Sequence, residues 1–258
     1  LQTLPEHPGA LPSAPTSPGV PPAQAKPRRR LLITAGPTHE PIDAVRFIGN
    51  RSSGKLGVSL ADAAARAGWK VTLALGPHTV RPTEDGVRVL DFRTTADLEA
   101  ILITQQPDCD ALIMAAAVAD YRPAPGEVDL TSKRRRTGSG MTLHLESTPD
   151  LLAGCAQRRM SGQILIGFAL EPREEMLASA KRKLERKGVD AIIANPLETM
   201  DAGVIEASAV VRSGIDLANI ATSTPGPISK EAFAPWLLTI TAHLIDANAA
   251  APGPETPR

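Results

Sequence analysis

Between two proline-rich ends, the chain alternates short apolar runs with amphipathic ones. The segments "LLITAG" (31–36), "KVTLAL" (70–75), "VRVLDF" (87–92), "DALIMAAA" (110–117), "QILIGFA" (163–169) and "VDAIIAN" (189–195) are mostly continuous apolar runs. Such runs are the pattern of strands covered on both faces. Helical patterns follow the first, third, fourth and fifth of them, near residues 53–67, 95–105, 149–159 and 173–187. This alternation predicts an α/β fold with a doubly wound, mostly parallel, Rossmann-like sheet and helices on both faces. Residues 127–146 and 206–214 read as extended and turn-rich, a small hairpin excursion. A last helix is expected over about 229–246, with Ser229 as N-cap and Glu231 in its first turn.

Residues 1–29 hold eight prolines and no apolar periodicity, so they cannot bury enough surface to offset the entropy of ordering and are expected to form a disordered tail. Residues 249–258 read as a second loose tail, leaving one domain over 30–248. No apolar core of a secretory signal is present. The longest apolar runs, such as "ALIMAAAVA" (111–119), fall far short of the ~18 residues of a membrane-spanning helix. Basic and acidic residues balance at 28 each, so no global field draws the chain to nucleic acid or an anionic membrane. Basic residues do cluster in "PRRR" (27–30) and "SKRRR" (132–136), but aromatic residues, which would stack on bases, are only 3% of the chain. Neither nucleic acid nor a membrane is expected as a partner. Cys109 and Cys155 lie far apart without metal-ligand spacing and read as small core residues of a reduced, cytoplasmic protein.

Candidate chemistry begins at "RFIGNRSSGKLG" (46–57). Gly49 and Gly54-Lys55 stand at the spacing of a phosphate-binding loop, but Leu56 occupies the position where that loop needs a hydroxyl for Mg²⁺. The following residues Gly57, Leu60, Ala61, Ala64 and Gly68 share a face of small residues that would let a helix lie close against the sheet. Ser52 or Ser53 is expected to cap this helix and Gly68 to end it. Free N–H groups near Ser53, Gly54 and Lys55 would then point out of the helix start, at the carboxyl end of the first strand, where open α/β folds bind anions. A dinucleotide fingerprint is missing. The segment after the first strand, "GPTHEPIDAVRFIGN", is too long for the glycine-rich turn, and the second strand ends "LALGP" without an acid, which counts against an NAD(P)-dependent oxidoreductase. His39 lies beside the proposed site, whereas His78, His144 and His243 lack partners by spacing.

Taken together, "LLITAGPTHEPIDAVRFIGNRSSGKLG", "AAAVADYRP", "SKRRR", "TPDLL", "GFALE", "KRKLERKGVD" and "IIANP" resemble the phosphopantothenate-cysteine ligase family in order and spacing, over about residues 30–246. The resemblance implies a coenzyme A biosynthetic ligase. In it, the carboxylate of 4′-phosphopantothenate attacks the α-phosphate of CTP to give an acyl-cytidylate and pyrophosphate, and the amine of L-cysteine then displaces CMP. Mg²⁺ usually accompanies the triphosphate. Bacterial members are typically homodimers that use CTP, whereas eukaryotic ones tend to use ATP. Many bacterial relatives carry a flavin-dependent decarboxylase upstream; no flavodoxin-like segment occurs here, so decarboxylation is not expected of this chain.

Carried over by motif, Asn50 matches the asparagine used with the acyl-nucleotide and Lys133 the first lysine of the K-x-K-K motif, whose last two lysines are replaced by Arg135 and Arg136. Asp120 matches a nucleotide-site aspartate, and Met114, Ala115 and Ala116 line the end of the fourth strand. Thr148, Pro149, Asp150 and Leu151 form the "TPDL" nucleotide segment, with Thr148 where the family commonly has Asn. Phe168, Lys183 and Lys187 match nucleotide positions, the lysines at i and i+4 on one helix face. Pro172, "ANP" at 194–196 and Gly49 are further departures from the usual residues. No residue is assigned as a metal ligand. A non-catalytic nucleotide-binding module is the remaining alternative, suggested by the altered "KRRR" and "TPD" segments.

Overall fold

The computed structural model describes residues 28–77, 80–136, 138, 140–200 and 202–250. The tails expected at 1–29 and 249–258, like His78, fall outside these residues except at their inner edges, where 249 and 250 complete the last helix.

In chain order the elements are β1 (Arg30–Ala35), β2 (His39–Pro41), β3 (Phe47–Gly49), α1 (Lys55–Arg66), β4 (Lys70–Leu75), β5 (Val87–Asp91), α2 (Thr95–Gln105), β6 (Ala111–Met114) and β7 (Tyr121–Pro123). There follow β8 (Leu145–Ser147), α3 (Leu151–Gln157), β9 (Ile164–Glu171), α4 (Met176–Lys187), β10 (Ala191–Pro196), β11 (Val204–Ile205), β12 (Ser208–Val211), β13 (Ile228–Ser229) and α5 (Lys230–Ala250). The central sheet has seven strands in the order β12-β10-β9-β6-β1-β4-β5. All its pairings are parallel except that of β12 with β10. The chain therefore winds from β1 to β4 and β5, then returns to the other side of β1 to continue through β6, β9 and β10. That reversal is a topological switch point, and the crevice beyond the carboxyl ends of β1 and β6 is where such sheets bind ligands.

Every strand run is found as expected, and all but the edge strand β5 are buried on both faces. Leu31, Ile33, Leu73, Ile113, Ile166 and Ile193 join α1 and α5 in one core, whereas Leu32, Leu112, Leu165 and Ile192 face α2, α3 and α4 in the other. The segment at 206–214 holds β12, which is an edge strand of the main sheet and not a hairpin excursion. At 127–146 the paired strands lie at the flanks, β7 against β8, and the residues between form a long loop. Its inner turn is fastened to residues 42–46: Arg134 N–H donates to Asp43 Oδ2 at 3.1 Å, Arg46 Nη2 donates to Arg134 O at 2.6 Å, and Ala44 N–H donates to Ser132 O at 3.2 Å.

Helix α1 explains its own sequence. Gly57, Leu60, Ala61 and Ala64 are buried against the sheet, and Gly57 lies so close to β1 that a Cβ there would stand 2.3 Å from Ala35 Cβ. Gly68 is not on this face; it is exposed, with φ +82°, and ends the helix in a Schellman motif, Trp69 N–H donating to Ala64 O at 3.0 Å and Gly68 N–H to Ala65 O at 2.9 Å. The expected serine cap is not formed. Gly54 itself is the N-cap, in the left-handed region at φ +71°, and no side chain caps the helix. Ser52 Oγ instead accepts from Gly54 N–H at 3.4 Å, holding the turn that enters the helix. Glycine at 54 is thus explained by backbone sign, since a side chain there would strain a conformation that only glycine visits freely. Helix α5 starts as expected, Ser229 Oγ accepting from Ala232 N–H at 3.1 Å.

Candidate active site

Beyond the sheet, the segments after β1 and β6 continue to pair. Ala115 N–H donates to Thr34 O at 3.1 Å, Ala117 N–H to Gly36 O at 2.9 Å, and Thr38 N–H to Ala117 O at 3.2 Å. Thr34 Oγ1 accepts from Ala116 N–H at 3.1 Å, and Thr38 Oγ1 from Ala119 N–H at 2.9 Å. The β2–β3 hairpin is pinned to α2 by the buried Glu40, whose Oε1 accepts from Thr95 N–H and Thr95 Oγ1–H, each at 2.7 Å. Asn50, just past β3, donates from Nδ2 to Val118 O at 2.8 Å, tying the approach to α1 to the wall formed by residues 115–119. Thr148 closes the wall from the far side, donating from its hydroxyl to Ala119 O at 2.6 Å and from its N–H to Asp120 O at 3.0 Å.

These contacts enclose a cleft in two adjoining compartments. The larger, about 690 Å³, surrounds the tip of α1 and contains Asn50, Ser53, Gly54, Lys55, Ala115 and Ala116. The smaller, about 320 Å³, contains Met114, Asp120, Thr148, Pro149, Asp150, Leu151 and Lys187. Ala116, Val118, Phe168 and Lys183 line both and form the partition. All but one of the site residues expected from the sequence therefore converge on one cleft at the switch point. Lys133 does not: it is exposed on the 127–144 loop and lines neither compartment, because its neighbours Ser132 and Arg134 are fastened to residues 42–46.

The electrostatics follow from the pairing. Lys187 Nζ lies 2.6 Å from Asp150 Oδ2, and Lys183 Nζ lies 2.6 Å from Glu171 Oε1. Burial pushes the Asp150 carboxyl up, but Lys187, the Ala153 N–H at the head of α3 and the Arg186 charge outweigh it and hold the group below its ordinary value. Burial likewise opposes ionisation of Glu171, and Lys183 and Ser179 overcome it. Asp120 is exposed at the mouth of the smaller compartment, while Lys55 stands exposed at the tip of α1. Among the described residues, no group of three His, Cys, Asp or Glu side chains could hold a metal ion. His39 is stacked on Phe47, ring centroids 3.6 Å apart, and burial followed by the Arg93 charge lowers its pKa; it does not line the cleft.

Sequence reasoning missed Arg51, Arg186, Asn195 and Lys230, all of which line the cleft. Lys230 carried a usable signal. As the first residue of α5 it places a cation at the positive end of the helix dipole, a poor local choice. Arg186 was hidden within "KRKLERK", three residues beyond Lys183 and so on the same helix face. Asn195 and Arg51 carried no signal beyond their neighbours.

Residues 27–241 match the family described as the DNA/pantothenate metabolism flavoprotein C-terminal domain. The chain is 44% identical over 176 residues to a "Cysteine/Cysteine sulfinic acid decarboxylase" from an unknown prokaryotic organism, the match covering 68% of this chain and 48% of the relative. It is 42% identical over 176 residues to the "Coenzyme A biosynthesis bifunctional protein CoaBC" of Mycobacterium tuberculosis (strain ATCC 25618 / H37Rv), covering 65% of this chain and 41% of the relative. The match thus spans less than half the length of either relative. The crystal structure of the C-terminal domain of the coenzyme A biosynthesis bifunctional protein CoaBC superposes with a TM-score of 0.65 at 29% identity, over 84% of this chain and 96% of that domain. In sequence and in fold, the chain belongs to the DNA/pantothenate metabolism flavoprotein C-terminal domain family, to which its motifs pointed.

Proposed function

We propose that this domain is a ligase of coenzyme A biosynthesis that joins 4′-phosphopantothenate to L-cysteine through an acyl-cytidylate, consuming CTP and releasing pyrophosphate and CMP. The observation that carries the reading is the shared partition of Ala116, Val118, Phe168 and Lys183 between a compartment at a helix tip and a compartment flanked by Lys187 and Arg186. A phosphorylated acid and a nucleoside triphosphate bound on the two sides would bring carboxylate and α-phosphorus together at that partition. Their like charges must be neutralised before attack, and the N–H groups at the start of α1, Lys55, Lys183 and Lys187 supply donors and positive charge for this. Carboxylate oxygen then bonds to the α-phosphorus, the α–β bridging P–O bond breaks, and pyrophosphate leaves. In the second step the cysteine amine bonds to the acyl carbon and the acyl–phosphate C–O bond breaks, releasing CMP. Asn50, whose amide already faces the wall of the larger compartment, is the donor we assign to the acyl oxygen.

Mg²⁺ would neutralise the triphosphate further. Hard cations of this kind are commonly held by one or two carboxylates plus substrate phosphates, a role Asp120 suits without a dedicated metal cage. A homodimer is supported by the exposed apolar side chains of Val45, Phe47, Tyr121, Leu130, Met141 and Leu145, which belong to the adjoining β2–β3 and β7–β8 hairpins and the loops they carry. Lys133 shares that loop, so the role implied for it rests on the second subunit. The decarboxylase in one relative's name describes a protein of which this chain matches under half, and no feature of the cleft favours that reading.

The test incubates the protein with Mg²⁺, 4′-phosphopantothenate and L-cysteine and with CTP, ATP, UTP or GTP in turn, following pyrophosphate, nucleoside monophosphate and amide product. Pyrophosphate release that requires CTP and phosphopantothenate together is expected. Release without phosphopantothenate, or none with any nucleotide, would defeat the proposal.

A further inference from the structure

The lysines of α4 that face the cleft are already neutralised from within the chain. Lys183 Nζ lies 2.6 Å from Glu171 Oε1, and Ser179 Oγ, one turn earlier on α4, donates to the same oxygen at 2.9 Å. Lys187 Nζ lies 2.6 Å from both carboxylate oxygens of Asp150, which also accepts from Ala153 N–H at 3.1 Å as the N-cap of α3. The carboxylates come from different elements, one from the end of β9 and one from the head of α3. With 30% and 17% of their side chains exposed, the lysines are not the fully solvated partners of ordinary surface ion pairs. Helix α4 does not need these pairs to dock, because Met176, Ala180 and Leu184, along the same side of the helix, are already buried in the core.

An ammonium group held by a carboxylate cannot give its full charge to a phosphate. A polyphosphate, with several charges and many acceptor oxygens, can outcompete one carboxylate for it, whereas a single phosphate group competes on nearly equal terms. We propose that Glu171 and Asp150 are resident counter-ions of the cleft, which surrender Lys183 and Lys187 to an entering polyphosphate and thereby set a charge threshold favouring a nucleoside triphosphate over singly phosphorylated anions. The proposal rests on the cleft's being the anion site described above. It gives Glu171, which lines neither compartment, a part in selecting the ligand, and it explains why a site built for anions keeps acids against its cations.

The experiment measures calorimetric binding of inorganic pyrophosphate and of orthophosphate to the full chain and to Glu171→Gln and Asp150→Asn. Both substitutions preserve shape, and Asn still caps a helix. Asp246→Asn is the control, since Asp246 pairs with Arg29 beside the opposite end of the sheet. Each cleft variant is expected to bind pyrophosphate about three- to tenfold more tightly, with a larger gain for orthophosphate, so that the preference for pyrophosphate falls. The control should bind as the parent does. Parental binding with unchanged or weaker binding in both cleft variants would overturn the counter-ion role alone. Failure of every protein to bind pyrophosphate would overturn the anion cleft and the counter-ion role together.

Discussion

Replacing Gly57 by alanine sets two effects against each other, and the structure decides between them. In an isolated helix the change would stabilise by up to about 1 kcal/mol, because alanine loses less backbone freedom than glycine. Here the new Cβ would stand 2.3 Å from Ala35 Cβ and 3.3 Å from Ala35 Cα. Carbon atoms attract best at about 3.5–4.0 Å, so helix and strand must separate by roughly 1.5 Å. The strand cannot retreat, since β1 is bonded on both edges, to β4 and to β6. Overpacking of this kind costs about 1–3 kcal/mol, which leaves a net loss of about 1 kcal/mol, or roughly 2–4 °C in Tm for a domain of this size.

The same displacement moves the tip of α1, with Gly54 and Lys55, away from the wall of residues 115–118. Anion binding should therefore suffer beyond what the stability loss explains. Gly68→Ala supplies the comparison: its φ of +82° makes alanine cost about 1–2 kcal/mol by left-handed strain, but at the end of α1 remote from the cleft. Urea unfolding with m values, together with calorimetric pyrophosphate binding, measures both quantities for each variant. A Gly57→Ala protein as stable as its parent, or one that weakens binding no more than Gly68→Ala does, would refute the argument.

Asn50→Asp is expected to slow amide formation about a hundredfold while pyrophosphate release persists, because a carboxylate cannot donate to the acyl oxygen; equal loss in both half-reactions, followed by single-turnover assay, would remove Asn50 from that role. Thr148→Val should cost about 1–2 kcal/mol in chemical denaturation, since it leaves Ala119 O without the hydroxyl donor now at 2.6 Å. Burial pushes the Cys109 thiol up to about 12 and the Cys155 thiol to about 11, so a chromogenic thiol reagent at pH 8 should label neither until denaturant is added. Hydrogen bonds from Ser132 and then Thr131 hold the Asp129 carboxyl down at about 2 against an ordinary 3.8. A depressed folded value contributes stability that is complete above the ordinary value and lost as pH falls through the folded one. Pepsin cleavage within residues 129–134 should accordingly rise between pH 3.8 and about 2, and a rate flat across that window would contradict the assignment.

The sheet was legible because its inner strands are buried on two sides, which leaves continuous apolar runs that no surface element would carry. All five helices were legible within four residues at either end for the complementary reason, one buried side each; α3 is two residues shorter at each end than its pattern, since Asp150 turns the chain into it and Arg158 leaves it. The excursion between β7 and β8 was legible as turn-rich, but not how it is held, because its order comes from Asp43, Asp129 and Arg46, charged residues that fasten it by contacts the local pattern does not show. Partnership at a distance also explains the histidines. His144 has no partner at helical or strand spacing, yet its Nδ1 meets Glu127 Oε1 at 2.9 Å across that loop.

What the sequence concealed most completely is that the cleft is shaped by backbone. The loop spacing of Gly49 and Gly54-Lys55 imitates a phosphate-binding loop, but the glycines serve different contacts. A Cβ at Gly49 would stand 2.6 Å from Thr38 O, and one at Gly76, beyond β4, 2.2 Å from Pro37 O. Gly36 takes φ +83° and approaches Gly76, and Gly76 N–H donates to Ala35 O at 2.8 Å. These glycines draw the exits of β1 and β4 together and let the hairpin of β2 and β3 fold back over them, so the tip of α1 arrives beside residues 115–118 with its N–H groups uncapped. Ser52 takes up the Gly54 N–H at 3.4 Å, but a true serine cap would have consumed one of the donors within the first turn itself. Its absence leaves them facing the compartment where, on the proposed chemistry, negative charge must be held, and a left-handed glycine at the N-cap achieves that where a conventional capping residue would not.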